Sequence, residues 1–349
     1  MKRLRFWIAL LILPVLAGCQ PHGRETCEAP GDNPTRYELT AMDTFMTMTI
    51  YNQPGGTARK YLRQAAGLLQ ELDALLSVTD EDSEIYQANH GGGAPATLSD
   101  DTRRLLTEAL ALCKETEGAL DVTVYPVVRA WGFTTGEYRV PEDTELSALL
   151  EQVDYTRVTL DGDTLALPAG MELDLGAVAK GYAGDRIMDL FRSTGMIYSI
   201  VELGGNVQAL GTKPDGSPWR VAVQAPEGGC AGALEIVGKA VVTSGGYQRY
   251  FEQDGEIYCH IIDPASGLPV RNGLASATIV ADRGIQADAL STALFVMGRE
   301  RAEAYWRDHS DFDFILLGED GTVAITEGLE DCFSLCGAWV DHPLEVIRR

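Results

Sequence analysis

Hydrophobic residues are not scattered evenly along this chain; their spacing changes period several times. Residues 44 to 51, TFMTMTIY, alternate apolar and polar side chains as a half-buried strand does. The next apolar positions, Leu62, Ala65, Leu69, Leu72 and Leu76, fall three or four apart and predict an amphipathic helix. Ser99 or Asp100 caps a second predicted helix running through Thr116, with Leu105, Leu106, Ala109, Leu112 and Cys113 on its inner face. PEDTELSALLEQV opens a third, with proline at its start.

Between 156 and 175 two short strands flank DGD, a hairpin signal, and a second such signal lies at Asp254-Gly255. Further strand-like runs follow in residues 197 to 263: IYSIVEL, WRVAVQA, GALEIVG and AVVTSG. SATIVA then leads into a helix over 286–297, a second helix over 299–308, and closing strands near Phe314 and Val323. The pattern predicts an α+β fold with largely antiparallel or mixed sheets and packed helices, rather than a regular βαβ alternation.

The N-terminus differs from everything after it. Lys2, Arg3 and Arg5 precede the apolar run FWIALLILPVLA, which is too short and too broken at Pro14 for a membrane span, and the run ends on LAGC. We expect residues 1–18 to be a lipoprotein signal, Cys19 to be the lipidated first residue, and 19–36 to be a poorly ordered tether to one large domain over 37–349, possibly of two interleaved subdomains. The expected location is the extracytoplasmic face of a bacterial membrane. The formal charge of −23, or −26 without the three signal cations, excludes nucleic acid as a natural partner. Of seven cysteines, six remain after Cys19; Cys332 and Cys336 read equally as a local bridge or as two core thiols.

Common catalytic templates are absent: there is no G-x-x-x-x-G-K-[ST], no G-x-G-x-x-G at a strand–helix junction, no H-E-x-x-H and no G-x-S-x-G. What stands out is lone polar residues within apolar sequence. In ADALSTAL, Asp288 and Thr292 share a helix face, and two oxygen donors suit a hard cation such as Mg²⁺; a helix-end charge and a core hydroxyl would explain them too. In DLGAVAKGYAGD, Asp174 ends an apolar strand, and Gly176, Gly181 and Gly184 each weaken a helix; we expect them to make room for a ligand beside the backbone, with Lys180 and Asp185 near a bound phosphate. Asp174 as a helix cap with Lys180 snorkelling is the plainer account. HIIDPASGLP is a turn sequence, but His260 within its apolar strand next to an acid suggests a titrating role.

Taken together, DLGAVAKGYAGD, LGGNVQALG, TSGGYQRYF, HIIDPASGLP and ADALSTAL, in that order, resemble the ApbE-type FAD:protein FMN transferases, with the match running over about residues 40–298. The resemblance implies an α+β fold with FAD in a crevice. It implies Mg²⁺-assisted transfer of the FMN half of FAD to a Thr or Ser hydroxyl of an extracytoplasmic acceptor, with AMP released. It suggests FAD contacts at Met42, Ala119, Leu120, Asp121, Asp174, Lys180 and Ile262, and Mg²⁺ on the main-chain oxygen of Ala177 with the side chains of Asp288 and Thr292. His260 is the expected base and Asp288 the second catalytic group. The implied acceptor belongs to a membrane redox complex and carries a motif like Asp-x-x-Ser/Thr-Gly-Ala-Thr; this chain has GLASAT instead, so self-modification is not expected. Hydrolysis of FAD to FMN and AMP is the alternative activity, and FAD binding without catalysis the third reading. The chain departs from the family at Asp43, where glycine is usual, and at Val78-Thr79, where the family commonly has a flavin-stacking tyrosine.

Overall fold

The computed structural model describes residues 24–26 and 34–349. The expected signal, Cys19 and Cys27 lie outside them. Among the described residues no helix is long and apolar enough to cross a membrane.

A ten-stranded sheet forms the centre, and its strands neighbour one another in chain order: Arg24–Thr26, Thr35–Ala41, Thr44–Ile50, Ser199–Leu203, Asn206–Leu210, Ala240–Gly245, Leu274–Ala281, Phe312–Gly318, Val323–Thr326 and Leu344–Ile347. Every pairing is antiparallel except the last, which makes the sheet mixed. Parts of the expected tether belong to this sheet, since Arg24–Thr26 pairs with Thr35–Ala41, and that strand begins before residue 37.

Side chains alternate across the sheet, as the pleat requires. Val242, Ile279, Phe314 and Leu316 face a layer of four helices, Gly55–Leu76, Asp100–Glu115, Gly176–Ser193 and Gly284–Asp308, in the main core. Val241, Val280, Ile315 and Leu317 face the other way, into a second core with Trp219, Val223, Leu234 and Phe333. Those last residues come from a small antiparallel sheet of Trp219–Gln224, Cys230–Ile236 and Phe333–Leu335. A third cluster, with Trp131, Phe133, Phe251 and Ile262, joins the hairpin Tyr250–Gln253/Glu256–Cys259 to the short helices Tyr125–Ala130 and Asp143–Leu150.

The expected break near residue 298 is present. Gly298, at φ 75°, interrupts the helical geometry of Gly284–Asp308, and the Asn272 side-chain amide donates to the Phe295 carbonyl at 2.7 Å where the first part ends. Both hairpins occur as expected, with Asp254 and Gly255 at positive φ in the turn between Gln253 and Glu256.

The cysteines pair differently from either expectation. Cys336 bonds to Cys230, 106 positions away, while Cys332 stays a free thiol. The reason is register: Phe333–Leu335 runs antiparallel to Cys230–Ile236, and the Cys336 amide donates to the Ala231 carbonyl at 3.0 Å, so Cys336 arrives beside Cys230.

Candidate active site

A cavity of about 470 Å³ opens where the main core meets the third cluster. The residues expected to touch FAD, to hold the cation or to act as base line it: Met42, Ala119, Leu120, Asp121, Asp174, Ala177, Lys180, His260, Ile262, Asp288 and Thr292; Gly181, Gly184 and Asp185 do not.

Met42 and Asp43 form a two-residue turn between the paired residues Ala41 and Thr44, both at positive φ, 48° and 57°. That backbone explains why glycine suits position 43, and aspartate is among the side chains that tolerate it. Val78 and Thr79 are not part of the cavity wall; its aromatic residue is Phe133, whose ring centroid is 6.4 Å from that of His260.

Asp121 is buried and both of its carboxylate oxygens accept hydrogen bonds. Oδ1 accepts from the Thr123 amide at 2.8 Å and the Thr123 hydroxyl at 2.6 Å, and Oδ2 accepts from the Tyr155 amide at 3.1 Å. These bonds hold the Asp121 side chain in place and leave the main chain of Ala119–Asp121 on the cavity wall.

Asp174 Oδ1 accepts the Gly176 amide at 2.8 Å at the entry to the Gly176–Ser193 helix. Desolvation raises its pKa, with Lys180 and Arg249 pulling it back. Lys180 reaches only the Gly176 carbonyl, at 3.5 Å, and neither it nor Arg249 forms an ion pair with an Asp or Glu among the described residues. The same wall carries Asp43, Asp121, Asp174 and Asp288, so Lys180 and Arg249 offer an anion two local contacts within a lining whose carboxylates outnumber its cations.

The glycines do something other than expected. A Cβ on Gly181 would lie 2.2 Å from the Gly284 carbonyl and 2.7 Å from Asp288 Cβ, and one on Gly184 would lie 2.2 Å from Gln208 Nε2. At Gly176 the nearest atom is Asp174 Oδ1, at 3.0 Å. Their room is taken by the protein itself: Gly181 and Gly184 let the Gly176–Ser193 helix close onto the Gly284–Asp308 helix and onto Gln208. Asp185 likewise faces that second helix and not the cavity, bonding to the Gly284 amide.

Asp288 is 4% exposed, and its Oδ2 accepts the Gly181 amide at 2.8 Å. Desolvation raises its pKa, against Lys180. Asn206 stands close enough to favour the ionised carboxylate, yet its buried Nδ2 forms no hydrogen bond of good geometry. The Thr292 hydroxyl lies 3.2 Å from that of Ser244, which also bonds to Ser291 at 2.8 Å. Among the described residues no cluster of three or more His, Cys, Asp or Glu is able to hold a metal, so any cation here depends on mixed donors. The donor set fits: a buried carboxylate with no cationic partner in salt-bridge reach, a hydroxyl and the Ala177 main chain, all on one cavity.

His260 Nδ1 lies 3.1 Å from the Arg249 carbonyl. A carbonyl only accepts, so Nδ1 carries the proton and Nε2 keeps its lone pair. Burial, followed by the charges of Arg249 and Lys180, lowers the His260 pKa to about 4, so the ring is neutral at pH 7.

Sequence reasoning named the motifs LGGNVQALG and TSGGYQRYF but assigned no role to Asn206, Thr243, Ser244, Gln248 or Arg249, all of which line the cavity. Their signal was lone polar residues in apolar sequence, the same that marked Asp288.

Comparison with known proteins identifies the family and the fold. The ApbE family matches residues 42–316. The chain is 37% identical over 312 residues to an FAD:protein FMN transferase of Vibrio cholerae, covering 86% of this chain and 90% of that one. It is 33% identical over 318 residues to one of Treponema pallidum, covering 85% and 88%. The crystal structure of the ApbE protein of Thermotoga maritima superposes with a TM-score of 0.81 at 30% identity, covering 86% of this chain and 99% of that one. The apo flavinyl transferase ApbE of Pseudomonas stutzeri gives 0.78, also at 30% identity, covering 86% and 97%. With sequence and fold in agreement over most of its length, the chain belongs to the ApbE family.

Proposed function

We propose that this chain, an FAD:protein FMN transferase by family, moves the FMN half of FAD onto a Thr or Ser hydroxyl of an extracytoplasmic acceptor protein through a phosphoester bond, releasing AMP. The observation that carries this reading is that Lys180 and Arg249, neither in an ion pair among the described residues, share one cavity with a neutral His260 and the buried carboxylate of Asp288. The cations bind and orient the diphosphate. His260 Nε2 takes the proton of the acceptor hydroxyl as its oxygen bonds to the FMN phosphorus, and the bond from that phosphorus to the AMP oxygen breaks. Asp288, Thr292 and the Ala177 carbonyl would hold Mg²⁺, which when bound neutralises charge on the diphosphate. Met42, the main chain of Ala119 to Asp121, Asp174 and Ile262 support FAD along the wall.

In this reading the enzyme is anchored through lipidated Cys19 at the outer face of a bacterial membrane, and its acceptor is a subunit of a membrane redox complex. The test is to incubate the full chain with FAD, Mg²⁺ and an acceptor bearing the Asp-x-x-Ser/Thr-Gly-Ala-Thr motif, then measure flavin fluorescence on the acceptor and free AMP. Equal amounts of both support transfer. AMP without labelled acceptor overturns it in favour of FAD hydrolysis, and neither product leaves FAD binding alone.

A further inference from the structure

The contact between the two site helices has a register. Ala177, Gly181 and Asp185 are spaced four apart on Gly176–Ser193, and Gly284, Asp288 and Thr292 are spaced four apart on Gly284–Asp308. Positions four apart lie on one helix face, so each helix presents a stripe. Asp185 meets Gly284, whose amide donates to Oδ1 at 2.5 Å, and Gly181 meets Asp288 at 2.8 Å. The helices therefore run antiparallel, and one more step of four brings Ala177 opposite Thr292, both on the cavity wall.

The rungs differ in what they hold. At Gly181 that helix has no side chain of its own, and the rung is keyed by Asp288 Oδ2, a proposed cation donor, accepting the Gly181 amide; a Cβ on Gly284 would lie 2.5 Å from the Gly181 carbonyl. Such a contact sets the separation between the axes, and it holds the register through a carboxylate that must also face a cation. Sliding by a single residue is about 1.5 Å, whereas metal–ligand distances tolerate about 0.2 Å. Asp185 supplies a second stop, away from the cavity. Oδ1 takes the Gly284 amide, Oδ2 takes the Ile285 amide at 3.2 Å, and Arg283 Nη2 approaches Oδ2 at 3.4 Å while its Nη1 donates to Glu108 Oε2 at 2.6 Å. Both oxygens are thus fixed to the first turn of the helix that carries Asp288 and Thr292, where negative charge is also favoured.

We propose that Asp185 is a positioning residue for flavin transfer, locking the axial register of the two helices so that the Ala177 carbonyl, Asp288 and Thr292 meet at ligand distance. The proposal rests on those three groups being the cation donors.

The test uses the full chain with Mn²⁺ as a spectroscopic probe, its binding followed by EPR in the presence of FAD, alongside the Mg²⁺ concentration giving half-maximal transfer and the Tm. Asp185→Ala is expected to weaken Mn²⁺ binding and raise the Mg²⁺ half-saturation by about ten- to a hundredfold, with the rate at saturating Mg²⁺ largely recovered. Asp185→Glu keeps the charge and the capping oxygens but lengthens the arm. A simple capping role is rescued by glutamate; a register role is not, and Mn²⁺ affinity stays low. If Asp185→Ala does not fold, Asp185→Glu carries the test alone. Wild-type Mn²⁺ affinity in Asp185→Glu, or a lowered Tm with unchanged Mn²⁺ affinity in Asp185→Ala, overturns the proposal. Asp288→Ala distinguishes the two layers: if it keeps wild-type Mn²⁺ binding, the donor assignment itself fails, whereas loss there with no loss at Asp185 refutes only the register.

Discussion

The Gly181 amide donates to Asp288 Oδ2 at 2.8 Å across the contact of two helices, and a Cβ on that glycine would lie only 2.7 Å from Asp288 Cβ. The backbone that holds the carboxylate is therefore the backbone that excludes any side chain there.

Gly181→Ala forces the helices apart, because the Gly284 carbonyl at 2.2 Å from the new methyl is main chain and has no rotamer to change. The expected cost is about 1–3 kcal/mol, typical of overpacking, seen as a lowered denaturation midpoint. Transfer should fall more than stability explains when assayed where the variant is fully folded. An unchanged midpoint would mean that the helices are not in close contact at this rung.

His260 gives a pH signature. Its pKa falls from 6.5 in the unfolded chain to about 4 in the folded one, so between these values the unfolded state binds the extra proton. Its contribution to stability is complete above pH 6.5 and is lost as pH falls toward 4. His260→Asn should flatten that part of the stability–pH curve and lower transfer by about 10²- to 10⁴-fold. A His260→Asn curve parallel to wild type through this window would show that the ring is not held neutral.

Asp43→Gly relieves a non-glycine residue at φ 57°. Stabilisation of about 1 kcal/mol is expected, with FAD affinity unchanged, as measured by thermal melts and flavin fluorescence titration. Weaker FAD binding in this variant would assign the Asp43 carboxylate a role at the cavity.

The bridge from Cys230 to Cys336 closes a loop of more than a hundred residues. Cys336→Ser should cost about 2–4 kcal/mol in denaturant unfolding, and Cys332→Ser much less, since Cys332 is a free thiol. Equal effects would point to a different pairing in the folded protein.

Much of this was legible in the sequence, and what was not has a physical cause. Helical spacing at Leu62 to Leu76, the Ser99 cap and the break at Gly298 were readable because each depends on neighbours in the chain. The cavity's donors were readable because a lone carboxylate or lysine in apolar sequence needs a reason. The glycines of DLGAVAKGYAGD were misread: a glycine's empty space shows nothing about what fills it, and here Gln208 and Gly284, distant in sequence, do so. The disulfide escaped for the same reason, since strand register, not spacing, brings Cys336 to Cys230. Asp121 was named only through the family resemblance of the Ala119–Asp121 segment, because its partners Thr123 and Tyr155 show nothing in the sequence that marks them as such.

Lys180 and Arg249 are local exceptions in an acidic molecule, and that contrast has a kinetic side. At distances beyond a few ångströms the chain, at −23, repels a dinucleotide; inside the cavity, whose wall also carries Asp43, Asp121, Asp174 and Asp288, attraction comes only from direct contact with Lys180 and Arg249. Salt screens the distant repulsion more than the buried attraction. Capture of FAD should therefore quicken as ionic strength rises from low values, the opposite of steering by a basic surface, while its escape responds far less. An enzyme built this way selects its substrate at the last contact and not during the approach.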